Sequence, residues 1–185
     1  MKKQFKASEK TKDSLVKSFW SIYKEKDISN ISATEIIKKA GYNRSTFYFY
    51  FDNVQSVLNY IEDIIIKDLN GILNNKNKIK DFEKPMFFEE LVDFNKKYGE
   101  YIVYLLKKQK NYSFLLKLKK ATKEIFDRIH NEIEKDEQLS IKYVFITSAI
   151  IGSFLYWNNN KNTISETEFY KLIFKLSNDT FDYNK

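Results

Sequence analysis

The sequence contains no cysteine, one proline, four glycines and one histidine in 185 residues. Without cysteine there is no disulfide framework, no thiolate metal site and no thiol nucleophile. A single histidine, His130, excludes a multi-histidine metal centre and a paired-histidine relay, so no metal and no cofactor is expected. So few glycines and prolines leave too few turns for an all-β fold and no glycine-rich loop for a dinucleotide-binding unit. Long apolar runs are scarce as well. The longest, at 143–157, is interrupted by Thr147, Ser148 and Ser153, and it falls short of the roughly 20 residues that span a bilayer. It reads as a buried core helix, and no membrane partner is expected. The basic start at 1–10 leads into no apolar run, so no secretory signal is expected either, and the cytoplasm is the expected compartment.

What is present is a folded, globular composition: 43% hydrophobic, 17% aromatic and 31% charged residues. The formal net charge of +7 is unevenly spread. Residues 1–60 hold 11 Lys+Arg against 6 Asp+Glu, whereas residues 61–185 hold 21 against 19. A basic first third suits polyanion binding. A solvated, lysine-rich surface accounts for the charge equally well when charge alone is weighed.

Helical periodicity dominates, with no internal repeat, and predicts an all-α chain of about nine helices. The first covers 9–26, with Leu15, Val16, Phe19, Trp20, Ile22 and Tyr23 forming an apolar stripe. Ser32 and Glu35 have the spacing of a capping box that opens a second helix ending at Ala40, with Gly41 just past it. Asn43 suits the cap of a short third helix, Arg44–Tyr50. A fourth begins after Asp52, with Gln55 at the box position, and reaches about Asn74. A lysine-rich linker at 74–84 precedes helices at 85–97, from Pro85, and 100–110, separated by Gly99. Helices at 112–135 and 137–157 follow. A loop at 158–163 leads to the last, at 165–181, where Ser165 and Glu168 repeat the capping-box spacing.

Two short helices joined by a glycine-containing turn, Ser32–Ala40 and Arg44–Tyr50, have the form of a helix-turn-helix. Arg44, Ser45, Thr46, Tyr48 and Tyr50 on the second suit DNA: arginine pairs with guanine edges, and hydroxyls reach phosphates. A plain helical hairpin has the same spacing.

The residues themselves go further. Residues 11–58 resemble the DNA-binding domain of the TetR/AcrR family of transcriptional regulators. The likeness is carried by Thr11-Lys12, by the spacing from Ile36 to Ala40-Gly41, and by GYNRSTFYFYF at 41–51. That run is similar to the family's Gly-Val-Ser-Lys-x-Thr-Leu-Tyr-x-Tyr-Phe. The resemblance implies an N-terminal three-helix helix-turn-helix domain at 1–52 and a helical effector-binding and dimerisation domain at 53–185. It implies that Thr46 and Tyr48 hold phosphates, that Arg44, Ser45 and Phe49 face base edges, and that Tyr50 lies near the backbone. Ser32, Ala33 and Thr34 would touch phosphate, while Phe47 and Phe51 would be core. Two positions depart from the family pattern. Val54 stands where a phosphate-binding lysine is common, so that contact is lost or supplied by Lys10 or Lys12. Ile37 stands in place of a usual alanine.

The aromatics of the second part offer candidates for an apolar effector pocket: Phe94, Tyr98, Tyr101, Tyr104, Phe126, Tyr143 and Trp157. Ordinary core packing is the other reading of each. Tyrosines are favoured, because each brings a ring and a hydroxyl. With no arginine at 86–127, neutral aromatics and apolar or aromatic cations are expected ahead of small anions. His130 is expected to be a solvated helix residue. The last two helices carry Ile146, Ile150, Phe154, Phe169, Leu172, Ile173 and Leu176, which suit a four-helix interface between two subunits or burial within one; the resemblance favours the homodimer.

The leading expectation is a ligand-responsive, homodimeric repressor on a palindromic double-stranded DNA operator, with an unknown small-molecule effector. One alternative is a family-like co-activator that works through a protein partner. The other, an enzyme, finds no catalytic constellation, because Glu62-Asp63 and Glu89-Glu90 read as solvated helix faces.

Overall fold

A computed structural model describes residues 2–74, 83–108, 112–130, 137–160 and 164–181. Every regular element among the described residues is helical: α1 Lys2–Tyr23, a 3-10 turn Ile28–Asn30, α2 Ala33–Ala40, α3 Arg44–Tyr50, α4 Val54–Leu73, α5 Pro85–Lys108, α6 Ser113–His130, α7 Glu137–Asn159 and α8 Glu166–Phe181. Most of the expected linker at 74–84, the helix ends at 110 and 135, part of the 158–163 loop and the His130 side chain lie outside the described residues.

The chain divides into two compact units, 1–64 and 65–185. The sequence reading set that boundary at 52, ahead of the fourth helix. The first half of α4 belongs with α1–α3 because Val57, Leu58 and Ile61 are buried there and Tyr60 meets Phe51 edge-on. The core of the first unit is built from Leu15, Phe19 and Trp20 of α1, Ile36 of α2 and Phe47 of α3. Phe51 is also buried, as expected of it. Glu62 corrects the sequence reading. It lies at i+4 from Leu58 and one residue past Ile61, on the buried face of α4, and is fully buried rather than solvated.

Local chemistry fixes the short helices. The Ser32 hydroxyl accepts from the Glu35 backbone N–H (3.2 Å), and the Glu35 carboxylate accepts from the Ser32 N–H (2.9 Å), completing the capping box. Gly41 ends α2 at φ 73°, a left-handed conformation that side chains resist, and its N–H donates to the Ile37 carbonyl. The α4 cap is displaced by one residue from the expected Asp52–Gln55 pair. Asn53 Oδ1 accepts from the Ser56 N–H, and the Asn53 N–H donates back to the Ser56 hydroxyl.

In the second unit α5 packs on α8, and α7 on both α6 and α8. Two helices separated by Gly99 were expected, yet α5 runs unbroken from Pro85 to Lys108, which reduces nine α-helices to eight among the described residues. Gly99 is there for space. A Cβ at this position would lie 2.4 Å from Oδ1 of the buried Asn95. Asn95 in turn donates from Nδ2 to Glu166 on α8 (3.1 Å). Further ties are the Trp157–Phe169 ring stack (4.7 Å) and the Arg128 guanidinium, which donates to the Asn74 carbonyl and side chain. Ser165 and Glu168 form their expected reciprocal cap.

Candidate nucleic-acid interface and apolar cavity

In α3 the buried Phe47 fixes one face of a seven-residue helix, and the opposite face is left to solvent. Arg44, Ser45, Tyr48 and Phe49 are exposed, with Phe49 at 78% of its full surface. Thr46 and Tyr50 are half-buried. A phenylalanine so exposed contributes little to its own fold. The Arg44 guanidinium lies 5.8 Å from the centre of the Tyr48 ring, one helical turn along, which supports the long side chain.

Asn43 holds the start of this helix. Its Oδ1 accepts from the Thr46 N–H (2.8 Å), the Thr46 hydroxyl (2.7 Å) and the Ser45 hydroxyl (2.8 Å). Both hydroxyl protons are therefore used internally, so a phosphate meets them only after a rotor turns. Ser32 is likewise engaged in its capping box, and Ala33 and Thr34 stand beside it in the first turn of α2, Thr34 exposed. Lys12 does not stand ready to replace the lysine missing at Val54. Its ammonium sits 3.7 Å from the centre of the Tyr60 ring, and burial lowers its pKa against the opposing pull of Asp13. Lys10, by contrast, is exposed.

The second unit forms a cavity of about 350 Å³, partly open to solvent, among α4–α8. Of the expected pocket residues, Phe94, Phe126 and Tyr143 line it. Tyr98 and Trp157 do not, because each is spent on packing. The Tyr98 hydroxyl donates to Asp68 (2.6 Å), where Lys97 also pairs (2.9 Å), and the Trp157 indole donates to the Ile164 carbonyl while stacking on Phe169. Burial pushes the Asp68 carboxyl up, but these two donors together outweigh it and hold it below its ordinary pKa. Tyr101 and Tyr104 lie half-buried on α5, outside the lining. The aliphatic wall of α6, Leu118 and Ile125, is not among the expected residues, although their i, i+7 spacing after Phe114 signals it. Nor are Thr122, Thr147 and Tyr170.

The expected dimer residues separate into two groups. Ile146, Ile150, Phe154, Phe169 and Ile173 all line the cavity, Ile146 and Phe169 buried and Ile150 also exposed to solvent. Leu172 and Leu176 are exposed, as are Ile141, Val144, Phe145 and Tyr156, which the reading missed. α7 is apolar around most of its circumference, so periodicity alone does not tell its inner face from its outer one. Among the described residues it is also the one helix long and apolar enough, by length and composition, to cross a membrane. Ile146, Thr147 and Trp157 are its only buried residues, so 143–157 is not the buried core helix expected: one side packs in the bundle and Val144, Phe145 and Tyr156 face solvent.

No group of three His, Asp or Glu side chains suited to a metal occurs among the described residues. None of the curated proteins matches the sequence. The fold is shared with solved structures of low identity. A TetR transcriptional regulator from Streptococcus agalactiae 2603V is 21% identical, with 94% of this chain and 97% of that one covered at a TM-score of 0.59. The fatty acid degradation regulator FadR from Bacillus halodurans is 15% identical over 90% of this chain and 94% of that one, and the dihydroxyacetone kinase operon activator DhaS is 18% identical over 91% and 94%, each at 0.59. The TetR C-terminal family described as "Transcriptional regulator C-terminal region" matches residues 83–179, more than half of the chain. On that match, the chain belongs to the TetR family of transcriptional regulators.

Proposed function

We propose that this regulator is a ligand-responsive repressor that acts in the cytoplasm as a homodimer on a palindromic operator. The observation that carries the DNA-binding part is the solvent face of α3. It offers one guanidinium, one phenol and one exposed aromatic ring, which meets Tyr50 edge-on, above a buried Phe47. Arg44 reads a base edge, Phe49 meets apolar base surface such as a thymine methyl, and Tyr48 reaches phosphate. Pairing of two protomers through the exposed apolar residues of α7 and α8 supplies the second recognition helix. The cavity of the second unit holds the effector, and its occupancy favours one arrangement of the DNA-binding units over another. α4, which contributes residues to both units, is the natural lever.

A nuclease footprint of the full-length protein on the DNA upstream of its own gene tests this. The expected result is one protected palindrome whose half-sites are separated by about 34–36 Å or a compatible helical repeat. An absence of protection at micromolar protein rejects the operator-binding reading. Activation in place of repression is the second reading, favoured by the likeness to the operon activator DhaS. A reporter under the footprinted promoter distinguishes the two by the sign of its response to deleting the regulator.

A further inference from the structure

The cavity in the second unit has a wall without charge. None of its lining side chains carries a carboxylate, ammonium, guanidinium or imidazole group, and the surface is leucine, isoleucine and aromatic carbon for the most part. Polar atoms occur as hydroxyls, apart from one amide, Asn178. Two of the hydroxyls, those of Thr122 and Tyr143, meet where α6 packs on α7 (3.1 Å), and Thr147 lies one turn further along α7. The Tyr143 phenol donates to the Lys119 carbonyl (2.7 Å), the Thr122 hydroxyl lies within reach of the Leu118 and Lys119 carbonyls and of Tyr143, and the Thr147 hydroxyl donates to the Tyr143 carbonyl. Ser177 donates in the same way to the Ile173 carbonyl (2.8 Å). With their protons directed at backbone carbonyls, these oxygens turn lone pairs toward whatever enters.

We infer that the effector is a neutral, largely hydrocarbon molecule with a hydrogen-bond-donating head, such as a medium-chain alcohol, and that carboxylates and ammonium ions of equal length are rejected. This deepens the effector-pocket reading and rests on it. A carboxylate entering here loses much of its hydration and gains a donor only where a hydroxyl gives up its backbone carbonyl; an ammonium finds acceptors but no counter-charge. A hydroxyl loses little, because it donates to the Tyr143, Thr122 or Thr147 oxygen while its chain is covered by apolar wall. The volume, about 350 Å³, holds roughly a dozen non-hydrogen atoms at the ~30 Å³ that one water occupies in the liquid.

The test is calorimetric titration of the full-length protein at pH 7 with 1-decanol, decanoate and decylammonium, each below its aggregation limit. Decanol is expected to bind at least about tenfold more tightly than either ion, given the cost of burying an unpaired charge. Tyr143→Phe is expected to weaken decanol several-fold, with the melting temperature of the free protein recorded to show that it still folds. Binding of either ion as tight as that of decanol overturns the inference, and so does failure of decanol to bind the folded wild type. Operator release is measured in the same samples. If decanol binds and the operator stays bound, neutral-ligand selectivity stands and the ligand-responsive reading fails. If an ion binds better and releases DNA, the switch stands and the selectivity falls.

Discussion

Arg44 and Tyr48 stand one turn apart on the same exposed face, but their chemistries assign them different tasks. A guanidinium that pairs with a guanine edge carries roughly 1–3 kcal/mol of discrimination, whereas a phenol on phosphate carries none. Arg44→Ala is therefore expected to weaken operator binding and narrow the gap between operator and scrambled DNA. Tyr48→Phe is expected to weaken both about equally. Gel-shift titration of each variant on both DNAs decides it, and equal losses for Arg44→Ala remove its base-reading role. Gly99 is the other residue whose identity has a measurable reason. An alanine Cβ there drives Asn95 away from Glu166, and overpacking of this kind costs about 1–3 kcal/mol. Urea denaturation of Gly99→Ala is expected to show a lower midpoint with unchanged slope; an unaltered midpoint means that Asn95 has somewhere else to go.

Among the elements, α2 has a pH signature. The Lys26 ammonium, then the Ser32 N–H, hold the Glu35 carboxyl down at about 2 against an ordinary 4.5. A carboxyl depressed by folding contributes its stabilisation above its unfolded pKa and loses it as pH falls toward the folded value. The difference in urea midpoint between wild type and Glu35→Gln is thus expected to be constant above pH 5 and to shrink between about 4.5 and 2. A difference that persists undiminished at pH 2 removes the electrostatic part of this cap. α7 and α8 make a second prediction. Phe145→Asp with Leu172→Asp, both at exposed positions, is expected to give monomers by light scattering that no longer bind operator, while helical content is kept. A wild type that is itself monomeric at micromolar concentration overturns the pairing. Legibility followed local chemistry. The capping boxes at Ser32 and Ser165, the Asn43 cap and the Gly41 stop each announce themselves within four residues of sequence. Gly99 misled because a residue that often ends helices here gives clearance to Asn95, one turn back on the same helix, whose side chain bonds Glu166. The inner and outer faces of α7 were illegible because both are apolar, and the cavity was legible in part, through Phe94, Phe126 and Tyr143, because the aliphatic side chains that complete its wall look like ordinary core.

At the scale of the whole molecule, the net charge and the uncharged cavity lie in different parts of the chain. Most of the net charge of +7 sits in the first 60 residues, and the cavity of the second unit has no charged lining. Operator affinity is accordingly expected to fall steeply and linearly in log–log form with salt, as condensed counterions are released from DNA. Decanol affinity is expected to stay nearly level over the same range, since a neutral ligand in an uncharged site has nothing to screen. Fluorescence titrations between 50 and 300 mM, roughly the range over which such slopes are read, check both. A parallel decline of the two means that decanol binding draws on the charged unit.

The bare outer side of α7 has a consequence for how much of this regulator a cell keeps. In the proposed homodimer, a newly made chain presents the exposed Ile141, Val144, Phe145 and Tyr156 to water until it pairs. Apolar side chains in that state are what chaperones and proteases sample. Synthesis slower than pairing leaves each chain alone long enough to be destroyed, whereas faster synthesis shelters it. Abundance then responds to transcription with a threshold rather than in proportion.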